Sequence, residues 1–533
     1  MRHRVLFPDL IATPVRTVLA AWFVAVVRAV SRLEAGLGAG IVNPFPMRKL
    51  PTFLLVAFVL LAGVVPTRGQ DRRPNILFAV GDNWAWPHAG VLGDPMAVTP
   101  AFDRIAREGV LFNQTFCPVP SCSPTRSCIL TGRAAHQLAD AASLWSKFDR
   151  ANRVFTEQLR EGGYDVGFTG KGWSPGNHQI SGWKENPIGR EHRDFETFLK
   201  QRDSTKPFFF WLGNTDTARH RWRYDAEGLA GLDPSKLVVP PQFPDDPATR
   251  STLMGYYGGV KRMDQAIGEE IARLEKLGLL EDTIVVYTSD NGWQMPRGLG
   301  NCYDTGSRVP FAVRWGRRLA AGRTLEEFIS LTDLAPTFLE LAGLPVLPGM
   351  TGRSFADLVL GKPGTTPRDA VFLERERHAN VRRGDLSYPV RGIRTKDFLY
   401  LWNLRPDRWP AGDPELYHSV GPYGDVDLSP LKDLLVTGGH RADLAPFRAL
   451  ALDRRPAEEL YDLRQDPHQL KNVAAQTAYT TARRELRERV ERWMRETDDP
   501  RVNPAYDGWD KMEYFGPPAR TGEKGKKSAK TAK

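Results

Sequence analysis

The chain has 533 residues, of which 41% are hydrophobic and 26% charged, with four cysteines. That composition supports a large core and two or more domains of about 100–200 residues each, and it excludes a fibrous chain, a wholly disordered one and a disulfide scaffold. The net charge of +10 suggests a polyanion binder, but residues 1–50 carry +5 and residues 520–533 another +5, so the body between them is neutral and gives no electrostatic case for nucleic acid.

Residues 47–69 read MRKLPTFLLVAFVLLAGVVPTRG. Arg48 and Lys49 form a charged start, Phe53 to Val65 is an apolar run, and Thr67 and Gly69 are the small residues before a cut at Gln70. This is the pattern of a secretory signal peptide. Residues 1–46 then read as a mis-assigned or extra N-terminal extension, with Met47 as the initiator. The expected destination is the periplasm, the medium or a lysosome-like compartment, with no stable membrane span after cleavage. At the other end, residues 516–533 read as a basic, disordered, low-complexity tail.

The body begins with Asn75–Val80, a short apolar run and hence a buried strand, ending at Gly81-Asp82. Thr99-Pro100 opens a helix that stops at Gly109, and Val154–Arg160 is another. Asp165–Thr169 reads as a strand leading to Gly170-Lys171, and Phe208–Leu212 as a third. Arg250 to Leu280 is a long amphipathic helix, with Leu253, Tyr257, Val260, Met263, Ile267, Ile271 and Leu274 on one stripe. Thr283–Thr288 is a fourth strand, followed at once by Ser289-Asp290-Asn291. Continuously apolar strands alternating with helices predict an α/β domain over 70–361, with a large mostly parallel sheet sandwiched by helices. Residues 362–515 differ in texture. Short runs at Ala370–Leu373, Val390–Ile393 and Phe398–Trp402, then a helix over Thr481–Thr497, predict a smaller α+β subdomain with an antiparallel sheet.

In open α/β sheets, ligands bind beyond the carboxyl ends of the strands. Two acidic pairs stand at such ends, Asp82-Asn83 and Asp290-Asn291. Together they offer two carboxylates and two amide oxygens, hard ligands that suit Ca²⁺ or Mg²⁺ and not zinc. Taken alone, each pair also fits an ordinary turn or helix cap.

Residues 122–132 read C-S-P-T-R-S-C-I-L-T-G. This resembles the sulfatase signature, C-x-P-x-R followed by T-G, at Cys122, Pro124, Arg126, Thr131 and Gly132. Arg73-Pro74-Asn75-Ile76, Thr99-Pro100, Gly170-Lys171 and Thr288-Ser289-Asp290-Asn291-Gly292 follow in the family's order. The resemblance runs from about Pro74 to Pro500. It implies an alkaline-phosphatase-like fold and an enzyme that hydrolyses sulfate esters or sulfamates, with a sulfated saccharide as the substrate partner. It also implies that a formylglycine-generating enzyme converts Cys122 to Cα-formylglycine, whose hydrate attacks sulfur and then expels sulfate by C–O cleavage. A divalent ion, Ca²⁺ or Mg²⁺, would sit on Asp82, Asn83, Asp290 and Asn291, with Arg126 and Lys171 as charge clamps. VVPPQFPDDPATR (238–250), Tyr388-Pro389-Val390-Arg391 and ELYDLRQDPHQLKNVA (459–474) resemble the N-sulfoglucosamine sulfohydrolase, or heparan N-sulfatase, branch of the family.

The chain also departs from the pattern. Asn83 replaces a second Asp, Trp173 and Ala218 stand where histidines are expected, and Leu299 stands where a basic residue is expected. The nearest substitutes are His220 as proton donor, His88 as runner-up, His136, and Arg297 for the lost cation. Trp173 is expected to stack on a sugar ring, and His378 to reach the substrate from the C-terminal subdomain. Two alternative readings accompany these departures: a catalytically weak or non-catalytic sulfatase-like binding protein, and a phosphodiesterase or phosphonate hydrolase of the same superfold.

Overall fold

The computed structural model of the chain describes residues 73–363, 368–415, 422–503 and 505–516. The expected extension at 1–46, the signal peptide at 47–69 and all but the first residue of the 516–533 tail lie outside the described residues.

The main sheet has eight strands: β1 Asn75–Gly81, β2 Val110–Phe116, β3 Asp165–Gly170, β4 Arg190–Glu191, β5 Phe208–Asn214, β6 Thr283–Ser289, β7 Phe311–Arg314 and β8 Arg323–Ser330. Their order is β8-β2-β7-β6-β1-β5-β3-β4. Only β7 runs antiparallel to its neighbours, so the sheet is mostly parallel, as the unbroken apolar strands predict. Among the described residues, the helices that cover it include α1 Pro100–Glu108, α2 Cys122–Thr131, α3 Phe155–Glu161, α4 Phe195–Gln201, α5 Pro247–Lys276 and α6 Leu334–Leu341.

Strand β1 shows why the runs are apolar throughout. Side chains alternate between the two faces of a strand. Ile76, Phe78 and Val80 enter one core with α2, α3 and α6, through Ile129, Leu159 and Phe338. Leu77 and Ala79 enter the opposite core with α1, α4 and α5, through Ile105, Phe198 and Val260. Neither face meets water, so neither carries polar residues; each large apolar side chain buried this way contributes roughly 1.5–3 kcal/mol. Helix α5 starts earlier than the apolar stripe suggests. Pro247 takes its first turn, and the Asp246 carboxylate accepts from the Ala248 N–H as N-cap.

A second sheet of four antiparallel strands follows, β9 Ala370–Arg375, β10 Val390–Thr395, β11 Phe398–Asn403 and β12 Glu458–Asp462, paired in chain order. Alternation again sorts its faces. Ile393, Tyr400 and Leu460 pack under helix α7 (Thr480–Glu496), against Leu486, Val490 and Met494. Leu373, Val390 and Leu401 face the main body, against Phe116, Cys302 and Phe328. All four cysteines are free and buried. Among the described residues, no helix is long and apolar enough to cross a membrane.

Candidate active site

The register of the main sheet brings the chemistry to one edge. Gly81 at the end of β1 lies opposite Ser289 of β6 and Asn214 of β5, and Gly170 of β3 lies opposite Gly213. Asp82, Asn83, Lys171, Asp290 and Asn291 therefore leave the sheet together. The loops are pinned locally: the Asp290 N–H donates to the Gly81 carbonyl at 3.1 Å, and the Thr217 hydroxyl donates to the Asp82 carbonyl at 2.7 Å. Asn83 adopts φ of +74°, the left-handed region that asparagine tolerates better than most residues.

Helix α2 supplies the rest. Cys122 is its first residue and Arg126 lies four positions on, so the helical period puts both on one face. All ten residues of α2 are buried, and Gly132 ends it at φ +64° with its N–H on the Cys128 carbonyl, which is what the T-G of the motif provides. The preceding Ser121 does not cap the helix with its side chain; its hydroxyl faces His378 Nδ1 at 2.8 Å.

These elements meet in a tight cluster. Cys122 Sγ lies 3.5 Å from Asp82 Oδ1 and 3.8 Å from Asn83 Oδ1. Lys171 Nζ donates to Asp82 Oδ1 at 2.5 Å, and Arg126 Nε donates to Asp290 Oδ2 at 2.9 Å. Arg126 Nη1 also holds the carbonyls of Lys171 and Gly172, at 2.6 and 2.9 Å. Asn291 Nδ2 donates to Asn83 Oδ1 at 2.6 Å, while Asn291 Oδ1 is buried with no hydrogen-bond partner among the described residues. Ligand atoms of Asp82, Cys122 and Asp290 fall within 4.8 Å of one another. Burial opposes the charge on Asp82, but Lys171 and Arg126 outweigh it and hold the carboxyl below its usual range. Burial raises the Cys122 thiol well above its ordinary value.

Comparison with known proteins matches residues 74–344, about half of the chain, to the sulfatase family model. The chain belongs to the sulfatase family. Residues 298–415 also match the family model described as N-sulphoglucosamine sulphohydrolase, C-terminal. Human N-sulphoglucosamine sulphohydrolase is 28% identical over 500 residues, covering 84% of this chain and 94% of that one. An ulvan-active sulfatase of Formosa agariphila is 26% identical over 479 residues, covering 79% of this chain and 75% of that one. Among solved structures, a protein in complex with its substrate D-glucosamine-2-N,6-O-disulfate aligns with a TM-score of 0.58 at 20% identity, over 83% of this chain and all of that one.

Within this sulfatase, the structure separates the remaining candidates. Trp173 is buried in the core beside Phe148 and donates its indole N–H to Ser127 Oγ of α2 at 2.8 Å, so it offers no ring face to a sugar. This corrects the stacking expectation: the ring packs under helix α2. Arg297 also departs from expectation. Its guanidinium stacks 3.8 Å from the Tyr303 centroid and donates to the carbonyls of Leu450 and Gln469, so its hydrogen bonds go to the C-terminal part of the chain. His88 sits among Tyr256, Tyr257 and Trp293 with Nδ1 2.9 Å from Tyr256 Oη, and burial lowers its pKa to about 4. His136 is consumed by Glu374 at 2.9 Å and Thr497 at 2.9 Å. Both are buried and hydrogen-bonded within the fold. His220 is exposed, and its pKa is lowered, first by partial desolvation and then by Arg221, with Asp82 opposing and Lys171 adding to the shift. His378 is buried against Ser121, and burial lowers its pKa to about 4.

Sequence reasoning missed three contributors. Thr217 and Ser121 are small polar residues whose role depends on what the fold places opposite them. Gln294, whose Oε1 accepts from Asn83 Nδ2 at 3.0 Å, had one available signal: it lies three residues after Asn291.

Proposed function

We propose that this protein hydrolyses sulfate esters or sulfamates on sulfated saccharides, with a formylglycine made from Cys122 as nucleophile and a divalent cation beside it. The observation that carries this reading is the seat of Cys122 Sγ against Asp82 and Asn83, with Lys171 and Arg126 anchored on Asp82 and Asp290. Relatives named for N-sulphoglucosamine and for ulvan support the saccharide class. The pattern at 47–69 supports export of the mature chain. The direct test is the mass of the tryptic peptide Glu108–Arg126 from the native host. An aldehyde at residue 122 is the expected result; a plain thiol in fully active protein would reject the nucleophile.

The donor set fits a hard cation. Asp82, Asn83, Asp290 and Asn291 present oxygens, and the partnerless Asn291 Oδ1 is a buried acceptor that a cation would satisfy. Bound there, a cation would supply Lewis-acid polarisation of sulfate oxygens and of the nucleophile's hydroxyl. The chain's own residues do the rest. Arg126 and Lys171 balance the two carboxylates, so the pit is neutral before ion and substrate enter. Burial opposes the charge on Lys171, but Asp82, Cys122 and Asp290 together outweigh it, so Lys171 stays charged and remains available to a sulfate oxygen. Asn83→Asp adds a carboxylate to the set and is expected to tighten Ca²⁺ binding by about tenfold or more, measured by calorimetry. Unchanged affinity would remove Asn83 from the ligands.

The leaving oxygen or nitrogen needs a proton. Trp173 and Ala218 carry none to transfer, and His220 is the exposed histidine within electrostatic reach of Asp82 and Lys171. His220→Ala is expected to lower kcat/KM by roughly 10²–10⁴ on an alkyl sulfate or a sulfamate, and little on an activated aryl sulfate. Equal losses on both would take His220 out of this role. The buried Trp173 and Ala218 also favour a second reading, a saccharide-binding protein with weak turnover; ligand retention without sulfate release would support it.

A further inference from the structure

We propose that Gln294 and Asp427 are positioning residues that orient the Asn83 side chain, holding its carbonyl oxygen toward residue 122 and the cation site. The inference rests on the cation reading given above and concerns residues outside the four ligands.

A carboxylate presents oxygen whichever way it turns, but an amide does not. If the Asn83 amide flipped, its NH₂ would face Cys122 Sγ, now 3.8 Å from Oδ1, and would meet Asn291 Nδ2, now 2.6 Å from Oδ1. A donor would then stand where a cation needs an acceptor. Something must select the correct orientation, and the hydrogen bonds form a one-way chain that does so. Asn291 Nδ2 donates to Asn83 Oδ1 at 2.6 Å, Asn83 Nδ2 donates to Gln294 Oε1 at 3.0 Å, and Gln294 Nε2 donates to Asp427 Oδ2 at 2.7 Å.

The direction of that chain is set at Gln294 by two groups that cannot reverse. An ionised Asp427 can only accept. The backbone N–H of Arg219 can only donate, and it does so to Gln294 Oε1 at 2.5 Å. With both ends of the Gln294 amide committed, its oxygen must face Asn83, and the Asn83 oxygen must face the site. Asp427 comes from the segment just before helix Pro430–Thr437, which seats on α5 where the Leu431 N–H donates to Thr252 Oγ1 at 3.0 Å. A stretch remote in sequence thus sets which atom the cation meets.

The test is a double-variant cycle read by calorimetric titration with Ca²⁺ on the full chain. Partners of this kind typically change metal affinity by roughly 10–100-fold when removed. Gln294→Leu is expected to weaken Ca²⁺ binding by about tenfold in the natural chain. In the Asn83→Asp background the same change is expected to cost less than about twofold, because a carboxylate needs no orienting. Asp427→Ala, which keeps Gln294 but frees it to turn, is expected to follow the same pattern with a smaller loss. Equal losses in both backgrounds would mean that Gln294 only supports the fold locally, and would overturn the proposal. Absence of Ca²⁺ uptake by both the natural chain and Asn83→Asp would instead overturn the cation reading, and the positioning role with it.

Discussion

Cys122→Ala is expected to abolish sulfate release while the chain stays folded. Loss of a catalytic nucleophile typically lowers kcat by on the order of 10⁴–10⁶. The fold should tolerate the change. The Cys122 side chain contributes one sulfur, 6% exposed, and its polar neighbours Asp82 and Asn83 keep their own partners. The expected stability change is within about 1 kcal/mol. Inorganic sulfate release and the thermal midpoint, measured on the same preparation, check both halves. Near-normal turnover in Cys122→Ala would overturn the central reading.

Arg391→Met is expected to destabilise the fold by about 3–5 kcal/mol, the usual cost of leaving buried carboxylates without their partner. Arg391 lies in β10 and is fully buried. It donates to Asp499 through Nε at 2.5 Å and Nη2 at 3.1 Å, and Nη2 lies 2.8 Å from Glu376 Oε1. Arg501 donates to Glu376 at 2.7 Å, and His136 holds Glu374 beside them. The network ties the second sheet to the turn after α7 and to the loop that follows α2. Asp499→Asn on top of Arg391→Met removes one orphaned charge, so the double variant should be more stable than Arg391→Met alone. Chemical unfolding midpoints at constant slope measure this; a loss under about 1 kcal/mol for Arg391→Met would show that the network relaxes around the gap.

Elements whose identity depends on local pattern were legible. The four apolar strands β1, β3, β5 and β6, the stripe of α5 and the run of α7 all announce themselves by period and by flanking Gly, Pro or Asp. Strand β8 did not: Arg323–Ser330 reads RTLEEFIS, with charges in its middle, because it is an edge strand with one side exposed. Strand β2 carries Asn113 and Gln114 in its middle, which breaks its apolar run, and β12 is legible only once its neighbour β11 is known.

The same division holds at the site. Sequence by itself determined that Cys122 and Arg126 share a helix face, because their spacing alone does so, and it determined the acidic pairs, because each ends a strand. Only the tertiary structure decided which other groups meet them. Trp173 and Arg297 were close to motif positions in sequence, yet Trp173 turns into the core under α2 and Arg297 onto carbonyls of the C-terminal region. Gln294 and Asp427 have no motif, yet the fold links them by hydrogen bonds to Asn83. Where a loop residue points is set by what the fold packs against it, and hydrogen-bond partners 257 residues apart, as Ser121 and His378 are, leave no periodic trace in the chain.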